Sequence, residues 1–366
     1  MLAERLAHLR PSGIRKIFDL AESIENPINL SIGMTDFDVP DPIKAEAKAW
    51  MDLGLNQYVA TQGLPELREL LRHHLKQEGL HFEDVVVTSG VTGGYVISMM
   101  ALIDPGDEVL IPDPRFVMYS FIVELLGGVP KFINTYPDFR LRPAQIEACI
   151  TPKSKVLILN NPNNPTGIVL SPDELKAIAA VAQKHNLYVV ADEIYNKFLY
   201  DRLPYKSIAN FYEKTLVLRG YAKSWGMSGW RVGYVAASSE IVESLKMLQH
   251  YTYVCAPPFL QKGALIAENF DGSEIIARYR QKRDLIYKGL NEFLRVEKPQ
   301  GAFYIFPEVP RGTGAALVAR AVQKKLLVVP GSAFSEQDTH FRVSFAASNE
   351  SLEKGIEILY DLLKKN

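Results

Sequence analysis

KVLILNNPNNPTGIVLSPDELKAIAAVAQKHNLYVVADEIY, residues 155–195, is the stretch whose reading decides the fold. KVLILN (155–160) is a continuous apolar run, as a strand shows when both of its faces are buried in a parallel sheet. SPDEL (171–175) starts a helix with three agreeing signals: Ser171 to cap it, Pro172 at the first helical position, and Glu174 to complete a capping box. The helix ends near 184–186, and LYVVADE (187–193) is the next buried strand. Strand, helix and strand in this order form a βαβ unit, which forces a parallel pair with a right-handed crossover.

The pattern extends outward from this unit. DVVVTSG (84–90) reads as a strand running into the helix GGYVISMMALI, and DEVLIP (107–112), TLVLRG (215–220) and WRVGYVAA (230–237) read as further strands. Before them, Ile14, Ile17, Phe18 and Ala21 sit at helical spacing over 12–22, and INLSIGMTDFDVPDP is a short strand breaking into a Gly/Pro/Asp loop. From about residue 265 the character changes. A charged helix through ARYRQKRDLIYKGLNEFL is followed by short strands in GAFYIFP, LLVVPG and HFRVSFA, then by a helix with Leu352, Ile356, Leu359 and Leu363 on one face. The expected architecture is α/β: a large domain (41–265) on a mostly parallel sheet, a smaller α+β domain (266–366), and an N-terminal arm (1–40) packing with the latter.

Composition narrows the function. The chain has 366 residues, 47% apolar and 23% charged, which is ordinary globular usage. The 41 Lys and Arg nearly cancel the 42 Asp and Glu, so the basic excess of a general nucleic-acid binder is missing. Two cysteines, Cys149 and Cys255, exclude a disulfide framework and point to the cytoplasm. The start, MLAERLAHLR, has no signal-peptide run, and the longest apolar stretch, 95–103, is far short of the roughly 18 residues of a membrane span.

In an open α/β sheet, ligands bind beyond the carboxyl ends of the strands. Those ends gather Ser89 to Thr92, Phe116, Asn160 to Gly167, Asp192 to Tyr195, and Gly220 to Arg231. The turn from Thr88 to Gly94 lies between strand and helix, where free N–H groups make an anion site; taken alone it is equally a tight packing turn. Asp192 ends an apolar run and must be partnered or face a cleft. It suits a protonated ring nitrogen, a helix cap or a metal, although no His stands at ligand spacing. The Tyr195 hydroxyl suits a phenolate partner or simply a wet core edge. Lys223 and Arg231 stand eight apart in GYAKSWGMSGWRVGY, an apolar, Gly-rich setting. A desolvated Lys there can form a Schiff base, and the Arg can clamp a phosphate. Arg342, in HFRVSFA, serves either an exposed strand edge or, facing inward, a carboxylate.

Taken together, these residues resemble the class-I/II aminotransferases, the pyridoxal-phosphate enzymes of fold type I. NNPNNPTG (160–167) is similar to the family's Asn-Pro-x-Asn-Pro-Thr-Gly motif, ADEIY (191–195) to its strand-end Asp-x-x-Tyr, and AKSWGMSGWRVGY (222–234) to its lysine signature. QYVATQGLPELR (57–68), GAFYIFP (301–307) and FRVSFA (341–346) also match, in the family's order along nearly the whole chain. SGIRKIFDLA and LSIGMTDFDVP look most like the prokaryotic aspartate/aromatic branch.

The resemblance implies a large domain with a seven-stranded sheet and pyridoxal 5′-phosphate as cofactor. Lys223 would carry it as a Schiff base and shuttle the substrate proton. Asp192 would pair with the pyridine nitrogen, Asn164 and Tyr195 would hold the 3′-oxygen, and Phe116 would stack on the ring. Val91 and Thr92 amides with Arg231 would hold the phosphate. Arg342 would bind the substrate α-carboxylate, with the Gly33 loop closing over it and Asn164 beside it. Tyr58 would reach the phosphate of a neighbouring subunit, which implies a homodimer with shared sites. The implied activity is transfer of an amino group between an L-amino acid (aspartate, aromatic or neutral) and a 2-oxo acid such as 2-oxoglutarate, in ping-pong half-reactions. A C–S β-lyase on the same fold and a non-catalytic cofactor-binding regulator are the alternatives. The chain departs from the family at Ala222 and Gly220, where other members carry Ser, leaving Arg219 as a candidate replacement on the phosphate. Thr92 stands where some aspartate-specific members have Lys, and Ile14, Phe18 and Ile32 would give the pocket an apolar wall.

Overall fold

The structure, a computed structural model, describes residue 3 and residues 24–364. The helix expected over 12–22, with Ile14 and Phe18, lies outside the described residues. Twelve strands are named here in chain order: β1 (Ile28–Asn29), β2 (Asp84–Ser89), β3 (Glu108–Asp113), β4 (Val129–Asn134), β5 (Ser154–Asn160), β6 (Tyr188–Asp192), β7 (Thr215–Gly220), β8 (Val232–Ala237), β9 (Tyr304–Ile305), β10 (Leu326–Leu327), β11 (Val329–Pro330) and β12 (Phe341–Ser344). Seven of them form one sheet in the order β2-β8-β7-β6-β5-β3-β4. β8 is antiparallel to both of its neighbours, and every other pairing is parallel.

The apolar runs are explained by burial on two sides. Along β5, Val156 and Ile158 enter one hydrophobic cluster while Leu157 and Leu159 enter another. β6 does the same, with Val190 on one face and Val189 and Ala191 on the other. The two-residue period of a strand thus serves two layers of helices, and each fully buried Val or Leu is worth roughly 1.5–3 kcal/mol. One of the covering helices is Pro172–Lys184. The Ser171 hydroxyl accepts from the Glu174 amide at 3.3 Å, and the Glu174 carboxylate accepts from the Ser171 amide at 2.7 Å. Asp173 and Glu174 in its first turn complement the positive helix end.

β4 was not among the expected strands. It is an edge strand whose first residues, Val129, Pro130 and Lys131, are at least partly exposed, so its sequence lacks the continuous apolar run of β5.

The C-terminal part builds a second, smaller set of strands. β12 pairs antiparallel with β9 and β11, and β1 pairs parallel with β10 at Ile28–Leu326. The Ser344 amide also donates to the Leu30 carbonyl at 2.7 Å, which ties the segment leading to Gly33 against β12 and its Arg342. Helices Ser273–Asn291 and Asn349–Lys364 cover this unit, with the Phe293 and Tyr360 rings meeting edge-on at 5.4 Å.

Replacing the helix cap, Ser171→Ala, is expected to lower the unfolding free energy by about 1 kcal/mol. A urea titration should show a lower midpoint with unchanged slope.

Candidate active site

The carboxyl ends of the parallel strands open onto a cavity of about 320 Å³. Of the predicted site residues, Gly33, Val91, Thr92, Phe116, Asn164, Asp192, Tyr195, Lys223, Arg231 and Arg342 all line it. Tyr58 does not. Its side chain is 82% exposed on the surface of its own chain.

One end of the cavity is organised around Asp192, the last residue of β6, which lies in register with Asn160 of β5. The Asn160 side chain donates to the Asp192 carbonyl at 3.0 Å and its Oδ1 accepts from the Asn164 amide at 2.8 Å. The Asp192 carboxylate receives the Tyr119 hydroxyl at 2.7 Å and the Ile194 amide at 3.1 Å. Burial dominates its titration and pushes it up to about 6, against the pull of these two donors. It is thus an acid that ionises readily once a cationic N–H is set against it.

Lys223 shares the cavity with that carboxylate and with the guanidinium groups of Arg231 and Arg342. It belongs to the short helix Tyr221–Ser224 that follows β7, and its ammonium donates to the Gly33 carbonyl. Burial, then the positive charges of Arg342 and Arg231, lower it to about 8, while Asp192 opposes them. An amine of this kind is a nucleophile and a proton carrier near neutral pH.

At the other end, helix Gly90–Leu102 begins without a side-chain cap, so its first amides are free to meet an anion. Gly90 has φ +66°, and a Cβ there would come within 2.7 Å of the Arg231 guanidinium. The guanidinium therefore lies directly over the helix start. Arg231 is itself left-handed (φ 54°) and donates to the Ser228 carbonyl at 2.9 Å.

Arg342 is fully enclosed on β12. Its guanidinium carbon lies 4.4 Å from the Tyr304 ring centre and 4.7 Å from that of Phe334. One Nη donates to Asn164 Oδ1 at 3.0 Å and the other to the Ser31 carbonyl at 2.6 Å. The inward reading of this Arg is the one observed, and the edge-strand alternative is excluded by its burial.

The sequence model of the family described as "Aminotransferase class I and II" matches residues 25–359. An aspartate aminotransferase of Pyrococcus abyssi is 38% identical over all of this chain and 98% of its own. An aromatic-amino-acid aminotransferase of Thermococcus litoralis is also 38% identical, with the same coverage. The solved structure of an aspartate aminotransferase from Thermus thermophilus with maleate superposes with a TM-score of 0.94 at 32% identity, over 99% of this chain and 100% of the other. The chain belongs to the class I and II aminotransferase family. It is an enzyme that transfers amino groups between amino acids and 2-oxo acids, on the fold expected of it.

That family is one of pyridoxal-phosphate enzymes, and the donor set of this aminotransferase fits such a group. The cavity supplies a carboxylate for a basic ring nitrogen, a desolvated amine, an aromatic face at Phe116, and uncapped amides beside a guanidinium for a phosphate. The missing hydroxyl at Gly220 is not replaced by Arg219. That side chain is buried on another face of the lysine helix, donating to Glu193 at 2.9 Å and to Glu78 at 2.8 and 3.1 Å. A side chain at 220 would also be crowded, since a Cβ there meets Gly233 Cα and the Val232 carbonyl at 3.1 Å. Ile32 is not part of the cavity wall. Among the described residues, the apolar lining includes Met34, Phe116, Met118 and Ile194.

Sequence reasoning assigned no role to Tyr119, Asn160 or Tyr304. Tyr119 follows Phe116 by three residues, across the turn that leads into helix Met118–Leu125, and the two rings meet edge-on at 5.9 Å. Tyr304 lies in an unbroken apolar strand that gives no sign of which ring faces the cavity.

The raised carboxyl of Asp192 has a stability consequence. Between about pH 4 and 6 the folded cofactor-free protein holds a proton that the unfolded chain has released, so this group's contribution falls as pH rises through that window and is constant above it. Asp192→Asn is expected to remove the decline. Denaturant titrations of both cofactor-free proteins at pH 4.5 and 7 should show the variant gaining on the wild type at the higher pH.

Proposed function

We propose that this aminotransferase holds pyridoxal 5′-phosphate in the 320 Å³ cavity and moves the amino group of aspartate or an aromatic amino acid to a 2-oxo acid such as 2-oxoglutarate. The observation that carries the reading is that the Lys223 amine lines one cavity together with the Asp192 carboxylate and the guanidinium groups of Arg231 and Arg342.

In this reading Lys223 is the attachment point, Asp192 faces the ring nitrogen, and Phe116 covers the ring. Asn164 and Tyr195 hold the 3′-oxygen, and the Val91 and Thr92 amides with Arg231 hold the phosphate. When bound, the cofactor supplies an electron sink for the charge left after the substrate loses its Cα proton. Lys223 Nζ, with its depressed basicity, takes that proton and returns it. Arg342, fixed between two rings, grips the α-carboxylate and so orients the Cα–H bond toward the amine. Gly33, whose carbonyl accepts from Lys223, lies on the segment that covers the substrate.

Side-chain selection follows from the lining. Met34, Met118 and Ile194 suit an aromatic donor, and the relatives named above include both aspartate and aromatic enzymes. These names favour transfer over the C–S lyase and regulator alternatives.

Two copies complete the assembly, with Tyr58 of each reaching the phosphate of the other. The exposure of Tyr58, Leu53 and Tyr251 supports this. Residues 41–265 act as the cofactor-binding domain and 266–366 as the smaller one, with 1–40 joined to it. The pairing of β1 with β10 supports that division. No described helix is long and apolar enough to cross a membrane. The cytoplasm is the compartment this reading assigns to the enzyme, and its two cysteines, too few for a disulfide framework, support that.

Borohydride reduction followed by peptide mapping is expected to leave the cofactor on Lys223, and Lys223→Ala to lose at least roughly 10²–10⁴-fold in transfer from aspartate or tyrosine to 2-oxoglutarate. A label on another residue, or pyruvate released from cystathionine without any oxo acid, overturns the proposal.

A second expectation concerns pH. Only the neutral amine attacks an aldehyde, so uptake of pyridoxal phosphate by the cofactor-free protein should accelerate through about pH 8 and level off above it. Stopped-flow absorbance across pH 6.5–9.5 checks this. A midpoint near 10 would mean that the amine is not depressed.

A further inference from the structure

Tyr304 is 1% exposed, and three parts of the site converge on it. Its hydroxyl lies 3.0 Å from the Tyr195 hydroxyl, and the two rings meet edge-on with centres 5.7 Å apart. Its ring face carries the Arg342 guanidinium at 4.4 Å. Its hydroxyl also limits residue 33, because a Cβ built on Gly33 would stand 2.7 Å from that oxygen.

We infer that Tyr304 is a positioning residue which donates its hydroxyl proton to Tyr195 and holds the Arg342 guanidinium flat, so that one side chain sets both the cofactor-oxygen end and the carboxylate end of the site. The inference rests on the cofactor reading above and deepens it.

The direction of the hydrogen bond follows from charge. Between two phenols, the more acidic one is the better donor. Arg342 lies on the ring of Tyr304, so its positive charge draws electron density from that phenol more than from Tyr195. Among the described residues, the other charged and titratable groups sharing the cavity with the pair are Asp192 at the end of β6, Tyr119, whose hydroxyl donates to that carboxylate, Lys223 on the helix after β7, and Arg231. With its own oxygen engaged as an acceptor, Tyr195 has its proton free to point at the cofactor's 3′-oxygen, and accepting a hydrogen bond makes it a stronger donor there. A stronger donor favours the deprotonated form of the linkage between Lys223 and the cofactor.

The carboxylate end depends on the ring rather than on the hydroxyl. Tyr304 and Phe334 present their rings to the guanidinium, while Asn164 and Ser31 fix its in-plane rotation. The two functions of Tyr304 are therefore separable by substitution.

The test uses the holoenzyme and three readouts. In Tyr304→Phe, the pH midpoint of the bound cofactor's visible absorbance should rise by about 0.5–1 unit, the size of one lost hydrogen bond. The dissociation constant of maleate, a non-reacting dicarboxylate, should change by less than about threefold. In Tyr304→Leu, which also removes the ring, maleate should bind about three- to thirtyfold more weakly. Gly33→Ala should raise the absorbance midpoint by displacing the Tyr304 hydroxyl, and should add nothing when combined with Tyr304→Phe, which removes the oxygen it meets. The pair is then strongly non-additive.

A midpoint that stays or falls in Tyr304→Phe overturns the inference, as does additivity of Gly33→Ala with Tyr304→Phe, or unchanged maleate binding in Tyr304→Leu. A wild-type holoenzyme with no titrating band would instead overturn the cofactor reading itself, which keeps the two failures apart.

Discussion

A carboxylate enclosed at the end of a parallel strand is the constraint on which the site depends. An isolated buried charge is prohibitively unfavourable, so Asp192 must be neutral, hydrogen-bonded or opposed by a cation. The surrounding structure supplies the last two in part: Tyr119 and Ile194 donate to the carboxyl, and the positive charge of Lys223 opposes it. What remains is a carboxyl pushed up to about 6, short of full compensation. Burial, and after it the two guanidinium groups, leave Lys223 short of compensation in the other sense. The cavity is polarised between an acid that wants a cation and cations that want anions. A zwitterionic ligand with a basic ring nitrogen at one end and anionic groups elsewhere relieves both.

Topology makes this polarity inexpensive to build. Parallel strands deliver their carboxyl ends to one edge, so residues distant in sequence arrive there without long loops. The single reversed strand, β8, begins at that edge and brings Arg231 with it. Arg219 and Lys223 are four residues apart, yet the turn after β7 sends them to different faces. Lys223 enters the cavity, while Arg219 enters a buried cluster with Glu193 and Glu78. That cluster is structural in character, since removing its Arg would leave Glu193 enclosed without its cationic partner, and breaking a buried ion pair typically costs about 3–5 kcal/mol.

The fold was largely legible because its decisive signals are local. β5, β6 and the capped helix between them each announce themselves within a dozen residues, and the cavity-lining residues Asn164, Asp192, Lys223 and Arg231 sit inside compact motifs. β4 was not legible because an edge strand need not be apolar on both faces. Tyr119 and Tyr304 were not legible for a different reason: their partners, Asp192 and Tyr195, are 73 and 109 positions away, and a buried tyrosine in an apolar run reads the same whichever way it faces. Arg219 reads as a phosphate ligand from its place at a strand end. Its pairing with Glu193 and with Glu78, 26 and 141 positions away, reveals otherwise.

Arg342 illustrates how packing turns a flexible side chain into a recognition element. A free Arg loses up to about 2 kcal/mol of rotamer entropy when it is fixed, a cost that any ligand gripping it would otherwise have to meet. Here the cost is met on folding. Two aromatic faces define the plane of the guanidinium and two hydrogen bonds define its rotation within that plane. Its Nε is buried without a partner among the described residues, so their enclosure is not perfectly matched to the cation. A backbone carbonyl such as that of Ser31 is a weaker acceptor than a carboxylate. On the proposed reading, a substrate carboxylate would meet an Arg already oriented and held by a partner it can outcompete, and the free energy of that exchange would be available for aligning the Cα–H bond rather than for ordering the protein.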